Sequence, residues 1–308
     1  MTARLIDGKA VAAAIHEEVR VAAAELKAKH GITPGLATVL VGDNPASHSY
    51  VKGKRQACAE DGLDSFPHEL PATTSQEEVI ALVKALGEDP KVHGILVQLP
   101  LPGHINEEAV LNAVPINKDV DGFHPVNIGK LGMKNREPSF EPCTPAGVIE
   151  LLDRIGAKIE GANAVVRGRS NIVGLPVSLL LLGRNATVTV CHSRTKDIGS
   201  VIRQADILVA AIGKAKFVKA DMVKPGAVVI DVGVNSLPVL NPDGSPAISE
   251  KTGKPRSKLV GDCDFDAVKE VASAITPVPG GVGPMTIAML MHNTVNSARR
   301  RAGLPALS

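Results

Sequence analysis

Ala164-Val-Val-Arg-Gly-Arg-Ser-Asn-Ile-Val-Gly174 is an apolar run that ends in a glycine turn and opens into an apolar stretch over 173–183. A strand that passes through glycines into a helix is where backbone N–H groups and the helix dipole can hold a pyrophosphate. The turn lacks the usual GxGxxG spacing, and a glycine turn between strand and helix is structural as often as it is functional. The surroundings carry the reading further. Downstream come a strand over 186–190, a helix over 198–205 and strands over 207–212 and 228–232. Upstream, Thr144-Pro145 sets a capping side chain and a first-turn proline before a helix over 146–155. This alternation predicts a doubly wound dinucleotide domain.

The first half alternates in the same way. An amphipathic helix over 10–29 precedes the strand Leu36-Ala-Thr-Val-Leu-Val41, and a polar helix follows over 47–61. Ser75 and Glu78 form a capping box for a helix over 75–86, and Gly94-Ile-Leu-Val-Gln-Leu99 reads as a buried strand. Such βαβ units imply a parallel sheet. The boundary between lobes falls near Thr144-Pro145. Residues 235–258, rich in Pro, Gly, Lys and Ser and containing Asn241-Pro-Asp-Gly244, read as an exposed hairpin or arm. A last helix over 285–301 follows Pro279-Gly-Gly-Val-Gly-Pro284, a hinge-like segment that returns the chain to the first lobe.

Composition narrows the partners. In 308 residues, 34 Lys and Arg face 32 Asp and Glu, so no global positive field attracts nucleic acid or an anionic membrane. Aromatics make up 2% of the chain, which leaves no stacking platform for single strands. No stretch reads as an export signal or a membrane span. Cys58, Cys143, Cys191 and Cys263 are far apart and form no CxxC pair, which argues against disulfides or structural zinc and fits a reducing, cytoplasmic compartment. His16-Glu17 does not continue to HExxH, and Gly280-Gly-Val-Gly-Pro-Met-Thr286 lacks the GK[ST] ending of a P-loop, so neither a metal centre nor an NTPase is expected. A small-molecule partner remains.

Several residues could serve one. The second strand of the dinucleotide domain ends in Cys191-His-Ser-Arg194, with no acid to hold a ribose hydroxyl. Ser193, Arg194 and Arg169 instead suit a ribose 2′-phosphate and favour NADP, although Arg194 also reads as a solvated charge. Tyr50 and Lys54 lie one helical turn apart, as ordinary surface neighbours do. They follow the strand-to-helix turn Gly42-Asp-Asn-Pro45, the edge of an α/β sheet where ligands sit. Gln98, near the end of a buried strand, is either an amide bonded to backbone or a partner that tunes Lys54. Asp121, before Gly122, reads from the residues alone as an Asx-type turn residue.

Together, Gly42-Asp-Asn-Pro-Ala-Ser47 with Tyr50-x-x-x-Lys54, Gly94-Ile-Leu-Val-Gln-Leu-Pro-Leu-Pro102, Lys118-Asp-Val-Asp-Gly-Phe123, Gly168-Arg-Ser-Asn-Ile-Val-Gly174 and Thr276-Pro-Val-Pro-Gly-Gly-Val-Gly-Pro-Met-Thr286 closely resemble the bifunctional methylenetetrahydrofolate dehydrogenase/cyclohydrolase family over nearly the whole chain. The resemblance implies a two-lobe α/β fold: an N-terminal three-layer catalytic domain over 1–145, completed by 280–308, and a Rossmann-type doubly wound NADP domain over 146–279. A folate cleft would lie between the lobes, the C-terminal helix would return to the first lobe, and a homodimer would form through the cofactor lobe. It further implies catalytic roles for Lys54, Gln98 and Asp121, and folate contacts from Tyr50, Leu99, Pro277 and Gly281. Gly168, Arg169, Ser170, Ile172, Val173, Gly174, Ser193, Arg194, Ile212, Gly213, Val234 and Thr286 would hold NADP. The implied chemistry is oxidation of 5,10-methylenetetrahydrofolate followed by hydrolysis to 10-formyltetrahydrofolate.

Two positions depart from the family. Arg167 stands where an aliphatic residue is usual, at the end of an apolar strand where a charge needs a partner, either cofactor phosphate or another subunit. Residues 244–258 carry more Lys and Pro than the family's arm. A dehydrogenase lacking efficient cyclohydrolase, and a folate- or dinucleotide-sensing module without chemistry, are the alternatives; the presence of Lys54, Gln98 and Asp121 together speaks against both.

Overall fold

In a computed structural model, which describes residues 2–249 and 253–307, Ser75 caps the helix Gln76–Glu88. Its hydroxyl accepts from the Glu78 N–H, and the Glu78 carboxylate accepts from the Ser75 N–H. This is the reciprocal box read in the sequence. Asn44 likewise caps the helix Pro45–Asp61: its side-chain oxygen accepts from Ser47 N, and Pro45 holds the first helical position.

The chain divides into two compact units. One comprises residues 10–146 and 285–308. Its parallel sheet runs in the order Asp64–Leu70, Gly35–Val41, Gly94–Val97. Ala37, Val39 and Val41 meet Val79, Val83 and Leu86 of the helix Gln76–Glu88. The alternate residues Leu36, Thr38 and Leu40 point to the opposite face and are equally buried, so the sheet is covered on both sides. The edge strand Asp64–Leu70 is not announced by the sequence. It contains Pro67, which an edge tolerates because one side of the strand needs no ladder donors.

The helix Val282–Arg301 completes this unit from Met285 onward. Ser297 Oγ donates to the carbonyls of His93 and Asn117 at 2.6 and 3.0 Å, and Arg299 pairs with Glu25 at 3.7 Å. Gly94 permits the approach: a Cβ there would stand 2.6 Å from Val120 and 3.2 Å from the Thr294 hydroxyl.

The other unit comprises the first nine residues, described from Thr2, and residues 147–284. Its six parallel strands run in the order Arg4–Leu5, Ala274–Ile275, Val228–Asp231, Ile207–Ala210, Asn163–Arg167, Thr187–Cys191. The order reverses at Asn163–Arg167, and the crevice beyond the carboxyl ends at such a reversal is where α/β sheets take ligands. The two-residue strands at Arg4 and Ala274 are too short for periodicity to reveal. Residues 235–260 form the arm: Asn235–Pro238 pairs antiparallel with Ser257–Val260, and residues 250–252 lie outside the described residues. Among the described residues no helix is long and apolar enough to cross a membrane.

Candidate functional site

Lys54 and Gln98 meet beyond the carboxyl end of the central strand in the first unit. The strand Gly35–Val41 leads through Gly42, at φ +85°, into the helix that carries Lys54. Gln98 follows the strand Gly94–Val97, its N–H still donating to Val39 O at 2.8 Å. Sequence pattern extends that strand to Leu99; the structure ends it at Val97, and Gln98 and Leu99 leave the sheet half-buried. Lys54 Nζ donates to Gln98 Oε1 at 2.9 Å, and Gln98 Nε2 donates to Leu99 O at 2.7 Å. The amide is therefore held at both ends with its carbonyl toward the amine. Tyr50, one turn before Lys54, is exposed.

Lys54 is 7% exposed. Burial pushes its pKa below the ordinary lysine value, opposed by the charges of Asp121 and then Cys143. Burial pushes Asp121 upward, against the pull of Lys54 and a hydrogen bond from Cys143. Cys143 Sγ also donates to Val120 O at 3.2 Å, and the thiol is pushed far up by burial. The site thus holds an amine and a carboxylate whose charged forms are both disfavoured by dryness and favoured by each other.

The loop that presents Asp121 is closed by a different carboxylate. Asp119, not Asp121, accepts from Phe123 N at 3.2 Å, His124 N at 2.8 Å and Asn127 Nδ2 at 2.7 Å. This corrects the reading of Asp121 as the Asx-type residue and leaves its carboxylate to act on Lys54 through its charge. Burial pushes Asp119 up to about 6, while these donors hold it down.

In the second unit the glycine turn borders a cavity of about 560 Å³ at the reversal of strand order. It is lined by Gly168, Arg169 and Ser170, by His192 and Ser193 from the next strand's end, and by Ile212. Only glycine fits the turn: a Cβ on Gly168, at φ +140°, would stand 2.1 Å from Ala211 O, and one on Gly174 would stand 2.4 Å from Gly168 O. Ser170 Oγ accepts from Val173 N and Gly174 N and so closes the turn ahead of the helix Gly174–Gly183, whose own N-cap, Val173, has no side-chain bond. No carboxylate lines the cavity among the described residues. Its donors and its helix end suit a phosphate-bearing dinucleotide. Ile172, Arg194 and Val234 are exposed in the same unit.

Sequence reasoning missed the groups that hold Ile212 and Gly213. The Asp262 carboxylate accepts from Ile212 N at 2.6 Å, Gly213 N at 3.1 Å, Lys214 N at 2.8 Å and Asn235 Nδ2 at 3.0 Å. Asp231 in turn accepts from Gly233 N, Asp262 N and Cys263 N, and burial pushes it up to about 6. The only signal in the sequence is Gly233 and Gly261, where a Cβ would lie 2.2 Å from Asp262 and 1.9 Å from Asp231. Pro277 lines a separate cavity with Asp231, and a Cβ on Gly281 would stand 2.6 Å from Pro277 O. Thr286 belongs to the first unit, where its hydroxyl bonds that of Thr144 at 2.8 Å.

Comparison with known proteins matches both units. The profile of the tetrahydrofolate dehydrogenase/cyclohydrolase catalytic domain matches residues 6–121, and that of the family's NAD(P)-binding domain matches residues 142–302. The bifunctional protein FolD 2 of Arabidopsis thaliana is 56% identical over 98% of this chain and 97% of its own. The crystal structure of the bifunctional methylenetetrahydrofolate dehydrogenase/cyclohydrolase of Campylobacter jejuni is 48% identical, with a TM-score of 0.87 over 96% of this chain and 99% of that one. The Trypanosoma brucei dehydrogenase-cyclohydrolase, crystallised with NADP and an inhibitor, is 43% identical, with a TM-score of 0.90 over 98% and 99% of the two chains.

Proposed function

The chain belongs to the tetrahydrofolate dehydrogenase/cyclohydrolase family, and from that premise we propose that Lys54, set by Gln98 and under the charge of Asp121, manages the protons of its hydrolytic step. The protein is bifunctional: it oxidises 5,10-methylenetetrahydrofolate to the 5,10-methenyl form and hydrolyses that to 10-formyltetrahydrofolate. NADP, when bound, supplies the nicotinamide that takes the hydride from the methylene carbon.

The observation that carries the proposal is the buried Lys54 amine bonded to Gln98 Oε1 at 2.9 Å, on the sheet edge where α/β proteins take ligands. Oxidation leaves a cation at the carbon between N5 and N10. Water adds to that carbon and gives one proton to the Lys54 amine; as the C–N5 bond breaks that proton passes to N5, and the remaining hydroxyl proton is released to solvent as the formyl C=O forms. Burial pushes the Lys54 pKa down and so makes the neutral amine that this requires easier to reach. Asp121 would anchor the pterin, and Tyr50 and Leu99 would pack against it. Pro277 and Gly281 would contribute to the folate site.

We assign folate chemistry to residues 10–146 with 285–308, and NADP to residues 147–284. Gly168, Ser170, Ile172, Val173 and Gly174 would hold the cofactor's pyrophosphate and Arg169, Ser193 and Arg194 its 2′-phosphate, with Ile212, Gly213, Val234 and Thr286 completing the contacts. Four free, buried cysteines fit the reducing, cytoplasmic setting of this chemistry. The test is absorbance of the purified protein with 5,10-methylenetetrahydrofolate and NADP or NAD, with methenyl hydrolysis assayed separately. Both activities, with kcat/KM favouring NADP by about tenfold or more, are the expected result; one charge-assisted contact contributes that much. Accumulation of the methenyl form would leave a dehydrogenase alone, and binding without turnover a sensing module.

A homodimer through the NADP unit is the second part of the proposal. The helix Gly174–Gly183 is almost wholly apolar, yet Leu175 and Leu182 are 40% and 56% exposed. It packs on Thr187–Cys191, which is an open sheet edge. Light scattering is expected to give twice the chain mass for the wild type and a shift toward monomer for Leu182→Glu. A wild-type monomer would end this part of the proposal.

A further inference from the structure

We propose that Arg167 is a specificity residue for the 2′-phosphate of NADP, an inference that rests on the NADP reading above. Arg167 closes the strand Asn163–Arg167 and lines the cavity, yet its side chain is only 6% exposed. Its Nε has no hydrogen-bond partner. Its guanidinium lies 5.0 Å from the centre of the Phe217 ring, and Lys214 Nζ lies 5.2 Å from the same centre. Two cations therefore share one ring at a cavity with no carboxylate in its described lining. A buried charge without a partner is costly, and a ring face offsets only part of that cost.

The missing partner is an anion, and the position of Arg167 says which. Arg167 lies in register with Cys191, the residue before His192 and Ser193, and its charge opposes the upward push of burial on the Cys191 thiol. His192 and Ser193 share the cavity with it. The end of this strand is where dinucleotide domains contact the adenosine ribose. The pyrophosphate has other partners, the glycine turn and the N-terminus of the helix Gly174–Gly183. A monoester phosphate, near two negative charges at neutral pH, calls for concentrated cations instead. Arg167, Lys214 and Arg169 supply them, and a guanidinium donates to phosphate in a fixed fork.

The experiment uses the full chain and reads binding alone. NADPH and NADH are titrated by fluorescence, and adenosine 2′,5′-bisphosphate and 5′-AMP by calorimetry, against wild type, Arg167→Leu and Arg167→Lys. Arg167→Leu is expected to weaken NADPH and the bisphosphate by about tenfold or more, and NADH and 5′-AMP by less than about twofold. Arg167→Lys, which keeps the charge and loses the fork, is expected to fall between. The ligand-free leucine variant is expected to melt no lower than wild type, because an unpaired buried charge has been replaced by an apolar side chain beside Phe217. Should it melt lower, the NADPH-to-NADH affinity ratio of the lysine variant decides. Unchanged affinities, or equal losses for both dinucleotides, would overturn the role of Arg167. A wild-type protein that binds neither dinucleotide would instead sink the NADP reading itself.

Discussion

Replacement of Lys54 by methionine is expected to lower methenyl hydrolysis by about 10²- to 10⁴-fold, the range over which a positioned acid–base group acts. Dehydrogenation should fall far less, by about tenfold, because hydride transfer depends on proximity and orientation of the two carbons more than on proton transfer. Methionine keeps the length and apolar body of the lysine and removes only the amine that donates to Gln98. The pH profile supplies a second readout. The neutral amine is the active base, so wild-type hydrolysis is expected to rise with pH through a Lys54 pKa that burial holds below the ordinary lysine value. Asp121 acts in the opposite sense, since its negative charge supports the ammonium. Asp121→Asn removes that charge, and the rising limb of kcat is expected at lower pH than in the wild type. Hydrolysis by the methionine variant at the wild-type rate would remove Lys54 from the proton path.

Much of the site is legible before any coordinates. Lys54 lies in the helix that leaves one strand and Gln98 just past the end of the strand beside it, and the parallel pairing of those strands brings both to one edge of the sheet. The glycine turn announces itself because a Cβ at Gly168 or Gly174 would strike backbone. What escapes the sequence is pairing at a distance. Arg4–Leu5 joins a sheet whose next strand is Ala274–Ile275, and no local pattern marks two residues as a strand. Asp64–Leu70 hides behind Pro67 and a half-polar composition that only an edge permits. Asp119 and Asp121 are two residues apart in one loop, and the division of labour between them depends on Asn127 and Lys54. An aspartate in a loop reads as a turn former, so which one turns the chain and which one faces the site is set by partners the local sequence does not name.

Asp262 makes the same point with the larger consequence for stability. Its carboxylate is fully buried and accepts three backbone N–H groups, of Ile212, Gly213 and Lys214, with the Asn235 amide as a fourth donor. Asp262→Ala would leave these donors facing a void, each unsatisfied group costing about 1–3 kcal/mol. Partial rehydration of the exposed loop offsets some of that, while the loss of a desolvated negative charge returns a little more. The net expectation is a loss of about 3–5 kcal/mol, which for a unit of this size lowers the melting temperature by about 10 °C or more. Asp262→Asn keeps the volume and one accepting oxygen but turns an NH₂ toward the remaining donors, so it should fall between alanine and wild type. Because Ile212 and Gly213 are among the residues assigned to NADP, both variants should also bind NADPH more weakly and gain less thermal stability from it. That second effect separates a carboxylate that organises the cofactor loop from one that merely fills the core. A variant that melts lower yet binds NADPH with wild-type affinity would confine Asp262 to packing. An alanine variant that melts within about 2 °C of wild type would mean that the three N–H groups find water, and that the bonds to Asp262 contribute little to stability.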